Sequence, residues 1–394
     1  MSESSVFGHR NIYTIFGVTL IAMMGVASIT PAFPAIIKHY QISPQEVGGL
    51  IVVFTLPGIF LTPFTGILAD RYGRKVVLVP SLFLFGIAGS ACMFAPGFYT
   101  LLILRFFQGV GASSLSSMNI TLVGDLFSGK QRTAVMGYNA SVLSIATASY
   151  PALGGIIAIG GWQYIFALPM LAIPLGIWVL KGLHTPRPQN STNLRTYFSR
   201  VWKIINQQTV WGLLIVNFIV FLILYGTYLT YFPLMMEKRF GADSYHIGLM
   251  MSLMSVTTAA ISSQLARINR HLALKWQLVF GSITYLLASL LVMKANSYGL
   301  LALAVVVFGL GHGVIIPSIQ NMMVGFAALN ERAAFMSLNS MVFRAGQTFG
   351  PLMIGLFYTI AGLNAAFFAG AVLAFFMLLV IVSMVKTSIN HRAA

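Results

Sequence analysis

The chain has 394 residues, of which 58% are hydrophobic and only 8% charged, with a mean hydropathy of +0.86. An ordinary soluble domain carries about a quarter of its residues charged, so this composition excludes one and defines a polytopic membrane protein whose surroundings are the lipid bilayer. The +16 net charge comes from loop Lys and Arg set against only seven acids; it reads as membrane topology, and nucleic acid is not expected as a partner.

Apolar runs long enough to cross a bilayer predict twelve helices, at about 12–37, 47–69, 76–94, 99–124, 134–159, 164–180, 210–236, 247–266, 276–293, 298–326, 333–360 and 365–385. The polar start, Met1 to Asn11, leads into the first crossing without a small-residue cleavage pattern and is expected to be retained. With the N-terminus inside, seventeen Lys and Arg fall on inner segments and four, Lys38, Lys238, Arg239 and Lys294, on outer ones. The positive-inside rule therefore predicts both termini in the cytoplasm.

Between the second and third crossings, Gly66 to Lys75 packs Asp70, Arg71, Arg74 and Lys75 into what reads as a tight turn at the inner surface, with Gly66 and Gly73 freeing the backbone. The long connection 182–208 opens on Pro186 and Pro188 and continues with Leu194, Phe198, Val201, Trp202 and Ile205 at helical spacing beside Arg195, Arg200 and Lys203. It predicts a link and a short helix on the membrane surface, dividing a six-helix bundle at 12–181 from a second at 209–386. Cys92 is the single cysteine, which excludes an internal disulfide and a Cys-based metal cluster; no cofactor or metal is expected.

The halves repeat at an offset of 200. Arg132, Ala134, Met136, Asn139, Val142, Pro151 and Gly155 match Arg332, Ala334, Met336, Asn339, Val342, Pro351 and Gly355, and Gly109 and Gly111 match Gly309 and Gly311. Parallel repeats of six helices, related by an axis along the membrane normal, predict rocking about a midplane site, hence a transporter.

Gly66, Leu68, Ala69, Asp70, Arg71, Gly73, Arg74 and Lys75 resemble the signature between helices 2 and 3 of the major facilitator superfamily. Leu104-Arg105-Phe106-Phe107-Gln108-Gly109-Val110-Gly111-Ala112 is similar to the family's helix 4 signature, whose arginine the resemblance links to proton coupling. In the fifth crossing, Gly137, Pro151 and Gly154 sit at the spacing of the antiporter signature of the twelve-helix drug:proton antiporters, with Ala146 and Tyr150 in place of expected glycines. Thr30 to Pro34 resembles the same group. The resemblance implies a cavity lined by helices 1, 4, 7 and 10 with 5, 8 and 11 beside them, and a second-to-third turn that meets the start of helix 11.

Few ionisable side chains lie in the spans, and each is a functional candidate because burying charge in lipid is costly. Arg105 and His312 inside helices, and Asp125 at an inner end, are the candidates for proton coupling; His312 alone among the midplane side chains titrates near neutral pH. Arg105 also reads as a structural arginine bonded to carbonyls. Arg344, Asn217, Tyr225, Tyr228, Gln320, Asn321, Asn339 and Gln347 are the substrate-cavity candidates, with Tyr225 and Tyr228 on one helical face at i,i+3. Two fixed arginines and no midplane acid favour an anionic, zwitterionic or neutral amphiphile over a permanent cation. Gly66, Asp70, Arg71, Gly73, Arg74 and Asp125 form a candidate conformational gate, with Arg74 held by Asp125. The reading is a monomeric secondary transporter of the inner membrane that exports a small amphiphile, with protons as coupled partner. An uptake symporter or facilitator for an organic anion is the alternative, and a membrane enzyme a remote one, since His312 has no evident nucleophile or acid beside it.

Overall fold

The computed structural model describes residues 10–183, 207–326 and 332–386. They are almost entirely helical, as a bilayer requires of a chain that must satisfy its backbone hydrogen bonds internally. The predicted surface helix within 182–208 lies outside the described residues, as does the Asp70 side chain. The chain divides into two compact units, Met1–Ser191 with Ala242–Leu249, and Thr192–Gly241 with Met250–Ala394.

In the first unit, α1 (Arg10–Ala27) gives way to a 3-10 turn at Thr30–Ala32 and then α2 (Phe33–Tyr40). The expected single helix over 12–37 is interrupted because Pro31 and Pro34, which lack an amide hydrogen, are each accommodated in the first turn of a new segment. A capping box opens α3 (Pro44–Tyr72): Ser43 Oγ accepts from the Glu46 amide at 3.3 Å and Glu46 Oε2 accepts from the Ser43 amide at 2.7 Å. Next come α4 (Arg74–Ala91), α5 (Phe98–Leu126), α6 (Gly129–Ile159) and α7 (Ala172–Gly182), the last preceded by a 3-10 stretch, Trp162–Leu171, that contains Pro169. The sixth crossing is thus half 3-10 rather than one α-helix.

The turn predicted over 66–75 is far shorter than expected. α3 runs on through Gly66 and Arg71 to Tyr72, and the reversal is made at Gly73, whose φ of 99° favours glycine. Nothing between Gly66 and Tyr72 breaks the helical ladder, and the Gly73 amide still donates to the Ala69 carbonyl at 3.0 Å.

The second unit holds α8 (Gln208–Leu222), a π-helical segment (Ile223–Tyr231), α9 (Phe232–Phe240), α10 (Ser244–Ser263), whose first turns belong to the other unit, α11 (Leu265–His271), α12 (Leu274–Lys294), α13 (Tyr298–Phe326) and α14 (Arg332–Met384). α14 is broken at Ala361 and Gly362, where φ reaches −145° and 70°, so it supplies two crossings.

Matched glycines make matched packings in the two units. A Cβ at Gly109 would collide with the Phe54 carbonyl of α3, and one at Gly111 with the Phe85 backbone of α4; at Gly309 and Gly311 the collisions are with Met254 of α10 and Thr284 of α12. These small residues seat the central helix of each unit against both neighbours. Outward rows such as Phe60, Phe64, Leu356, Phe368 and Phe375 remain exposed, a surface suited to lipid rather than water.

Candidate functional site

Two arginines are buried in spanning helices, and their surroundings differ. Arg105 of α5 is 1% exposed. Its Nη1 donates to the Gly25 carbonyl and to Gln108 Oε1, both at 2.8 Å, while Nε and Nη2 reach the Leu50 carbonyl at 3.4 Å. The end of α1 makes the Gly25 carbonyl accessible, since the Ile29 amide turns to Val26 instead. The Phe54 ring closes the site, 4.3 Å from the guanidinium carbon. Arg105 therefore ties α1, α3 and α5 together through neutral acceptors.

About four turns further along α5, three side chains missed in the sequence reading as a group close a polar ring. Asn119 Nδ2 donates to Thr19 Oγ1 at 2.6 Å and to the Ile15 carbonyl at 2.7 Å; Thr19 Oγ1 donates to Asn139 Oδ1 at 2.5 Å; Asn139 Nδ2 donates to Asn119 Oδ1 at 2.9 Å. The ring pins α6 to α1 and α5. The repeat partner of Asn139 does the same work in the second unit, where Asn339 Oδ1 of α14 accepts from Asn217 Nδ2 of α8 at 2.7 Å. Asn217 and Asn339, expected to line a cavity, are thus buried and bonded to each other.

Arg344 lies on α14, 8% exposed. Its Nε has no hydrogen-bond partner, and no hydrogen bond or ion pair of its guanidinium is found among the described residues. It faces an aromatic wall: its Cζ is 5.8 Å from the Phe343 centroid, Phe343 and Phe221 are 4.9 Å apart, and Phe221 and Tyr225 6.3 Å. Gln347, one turn further, is buried. Gly346 and Gly350 allow α14 this close to α8, because a Cβ on either would meet the Phe218 or Leu222 carbonyl.

Tyr225 and Tyr228 do not share a face. The π-helical segment replaces i→i+4 with i→i+5 bonding, which rotates side chains away from α-helical spacing. Tyr225 joins the Arg344 wall, whereas Tyr228 enters a stack: Phe232 and Phe308 lie 5.0 and 5.1 Å from it, and Tyr285 lies 4.2 Å beyond Phe308 at an interplanar angle of 8°. At the end of the stack the Tyr285 hydroxyl and His312 Nδ1 are 2.5 Å apart. Tyr285 and Phe308 were not legible as site residues; a tyrosine in an apolar span was the only signal. Gln320 and Asn321 are exposed, apart from both clusters.

At the far end of α5, Asp125 Oδ2 accepts from Arg74 Nε at 2.8 Å, a pair partly open to solvent. Arg71 sits over the Tyr72 ring, 5.4 Å from its centroid. On α6, Gly137 has open space around it, whereas a Cβ on Gly154 would strike the Ser28 carbonyl. Pro151 and Gly154 are buried, and Tyr150, standing where a glycine was expected, donates its hydroxyl to the Leu20 carbonyl of α1 at 2.9 Å.

Two compact helical units with apolar helices long enough to cross a bilayer and glycine-seated central helices fit the architecture of a membrane transporter. The chain belongs to the Major Facilitator Superfamily, whose family model matches residues 15–293 and 233–392. It is 24% identical over 373 residues to Multidrug resistance protein 2 of Bacillus subtilis (strain 168), covering 91% of this chain and 92% of that one. It is also 24% identical over 370 residues to the Quinolone resistance protein NorA of Staphylococcus aureus (strain Mu50 / ATCC 700699), covering 89% and 91%. The fold is similar to that of the nucleoside transporter NupG, with a TM-score of 0.81 at 12% identity over 95% of this chain and 100% of that one.

Proposed function

We propose that this transporter exports a small amphiphilic compound across the cytoplasmic membrane by alternating access, driven by proton antiport, as a monomer with both termini in the cytoplasm. The observation that carries export is the match, along nine-tenths of both chains, to proteins named for multidrug and quinolone resistance. In the proton step, His312 is the carrier we favour. Its imidazole has two ring nitrogens that can hold or release a proton, it is partly exposed, and the Tyr285 hydroxyl lies 2.5 Å from Nδ1. Among the described residues, Tyr285 is the titratable side chain facing it; Phe308 separates it from Tyr228. Arg105, with its donors taken up by carbonyls and Gln108, is assigned to bracing the first unit. Arg74, Asp125, Arg71 and Asp70 are assigned to a cytoplasmic gate, the Gly73 reversal holding the charged helix ends together.

Proteoliposomes with an imposed pH gradient test this reading. The wild type is expected to move a neutral amphiphile against its gradient only while the pH difference lasts. His312→Gln is expected to retain downhill exchange and lose uphill transport. Wild-type transport that ignores the pH gradient removes proton coupling; uphill transport by His312→Gln moves it to another residue. Uptake of an organic anion is the second reading, favoured by Arg344, which has no acid paired with it among the described residues; the direction of net flux in the same vesicles separates the two.

A further inference from the structure

We infer that Arg344, with Gln347 and the rings of Phe221, Tyr225 and Phe343, forms a binding subsite for an aromatic carboxylate within the second unit. This inference rests on the transporter reading and names the substrate class for it. A guanidinium remains charged under all physiological conditions and presents five donors in a planar fork. Taken out of water, such a group needs acceptors, and buried polar groups are almost always paired. Arg105 obeys that rule, being bonded on three sides. Arg344 is more than nine-tenths buried and breaks it, with Nε unpartnered.

Among the described residues, no acid pairs with Arg344. The described acids are Glu46, Asp125, Glu237 and Asp243, together with Asp70 in backbone only, and all lie at helix ends or between helices. The charge in this part of α14 is therefore left for a ligand. A carboxylate matches the guanidinium fork with two parallel hydrogen bonds. Gln347, one turn along and on the same side, supplies an amide donor to the same group. The partly exposed faces of Phe221, Tyr225 and Phe343 offer a planar apolar body a surface to stack on. Neither Arg344 nor this wall is duplicated in the first unit, where the repeat partner of Arg344 is Ser144 and that of Phe343 is Leu143. The subsite is thus a property of one half and not of the packing that both halves share.

The test is binding to the purified full chain in detergent, using 2-naphthoate and its uncharged methyl ester as matched probes. The wild type is expected to bind the acid at least tenfold more tightly than the ester, a difference of about 1.4 kcal/mol. Arg344→Gln is expected to bring the two within twofold while the protein stays monodisperse. Gln347→Leu, which keeps the charge, is expected to weaken the acid about threefold and leave the ester unchanged. A wild-type preference below twofold, or a tenfold preference kept by Arg344→Gln, overturns the subsite and means that water alone fills the guanidinium's free positions. If the preference is absent while pH-driven efflux of the ester persists, the subsite fails and export stands. If the preference holds and no pH-driven flux occurs, the subsite stands and the export reading fails.

Discussion

Arg105 and Arg344 have the same side chain, similar burial and a transmembrane helix each, yet the first has acceptors on three sides and the second is left without one at Nε. The difference lies in what the neighbouring helices present. At Arg105, α1 ends in a break that releases a carbonyl, and α3 and Gln108 contribute further acceptors. At Arg344, the facing α8 and π-helical segment contribute rings. We assign a bracing role to the arginine that backbone carbonyls meet and propose a receptor role for the one that they do not.

The sharpest way to break this contrast is to remove Arg105. Arg105→Ala strands the Gly25 carbonyl and Gln108 Oε1, and is expected to cost about 3 kcal/mol or more, read as a lower thermal unfolding midpoint in detergent. Arg105→Lys is expected to rescue little, because an ammonium cannot span acceptors on three helices. An unchanged midpoint for the alanine variant would falsify the brace.

A smaller effect is expected at the repeat-matched asparagines. Asn339→Ala removes the side-chain acceptor of the Asn217 amide and leaves it only the long contact to the residue-339 carbonyl, and Asn139→Ala opens the ring with Thr19 and Asn119. Each is expected to cost roughly 1–3 kcal/mol, and similar losses in both would show that the repeat conserves a helix clasp. Markedly unequal losses would show that the clasps are not equivalent.

Arg344→Gln sharpens the comparison from the other side. With little bonding to lose and a buried charge removed, it is expected to shift stability by less than about 1 kcal/mol while abolishing discrimination between acid and ester. A large loss of stability would make Arg344 a second brace. The smallest stability effect is expected for Asp125→Asn, since a partly exposed pair such as Arg74 and Asp125 contributes below about 1 kcal/mol. Its transport rate is expected to fall nonetheless, because the gate assignment depends on that pair; an unaltered rate removes Asp125 from the gate.

Much of the architecture was legible beforehand. Hydropathy located the crossings, and the matched glycines announced the shared packing of α5 and α13. What eluded the pattern was local backbone geometry. The π-helical bonding at Ile223–Tyr231 parts Tyr225 from Tyr228, and no composition signal distinguishes it from α-helix. The Gly66 region read as a turn because of its glycines and charges, although only Gly73 needed a positive φ. Asn217 and Asn339 looked like cavity residues because polar side chains in a span need a partner; that the partner is each other depends on two helices distant in sequence.

By itself, the amino-acid sequence determined that this is a membrane protein of repeated six-helix halves, since the length and polarity of each run and the placement of Lys and Arg are properties of local chain in a bilayer. Only the tertiary structure decided which buried groups are satisfied. A guanidinium or amide finds its partners several ångströms away on other helices, and that geometry is set by packing, not by neighbours in the chain. Arg105 and Arg344 are indistinguishable as letters; the carbonyls around one and the rings around the other separate a structural brace from the subsite proposed for substrate.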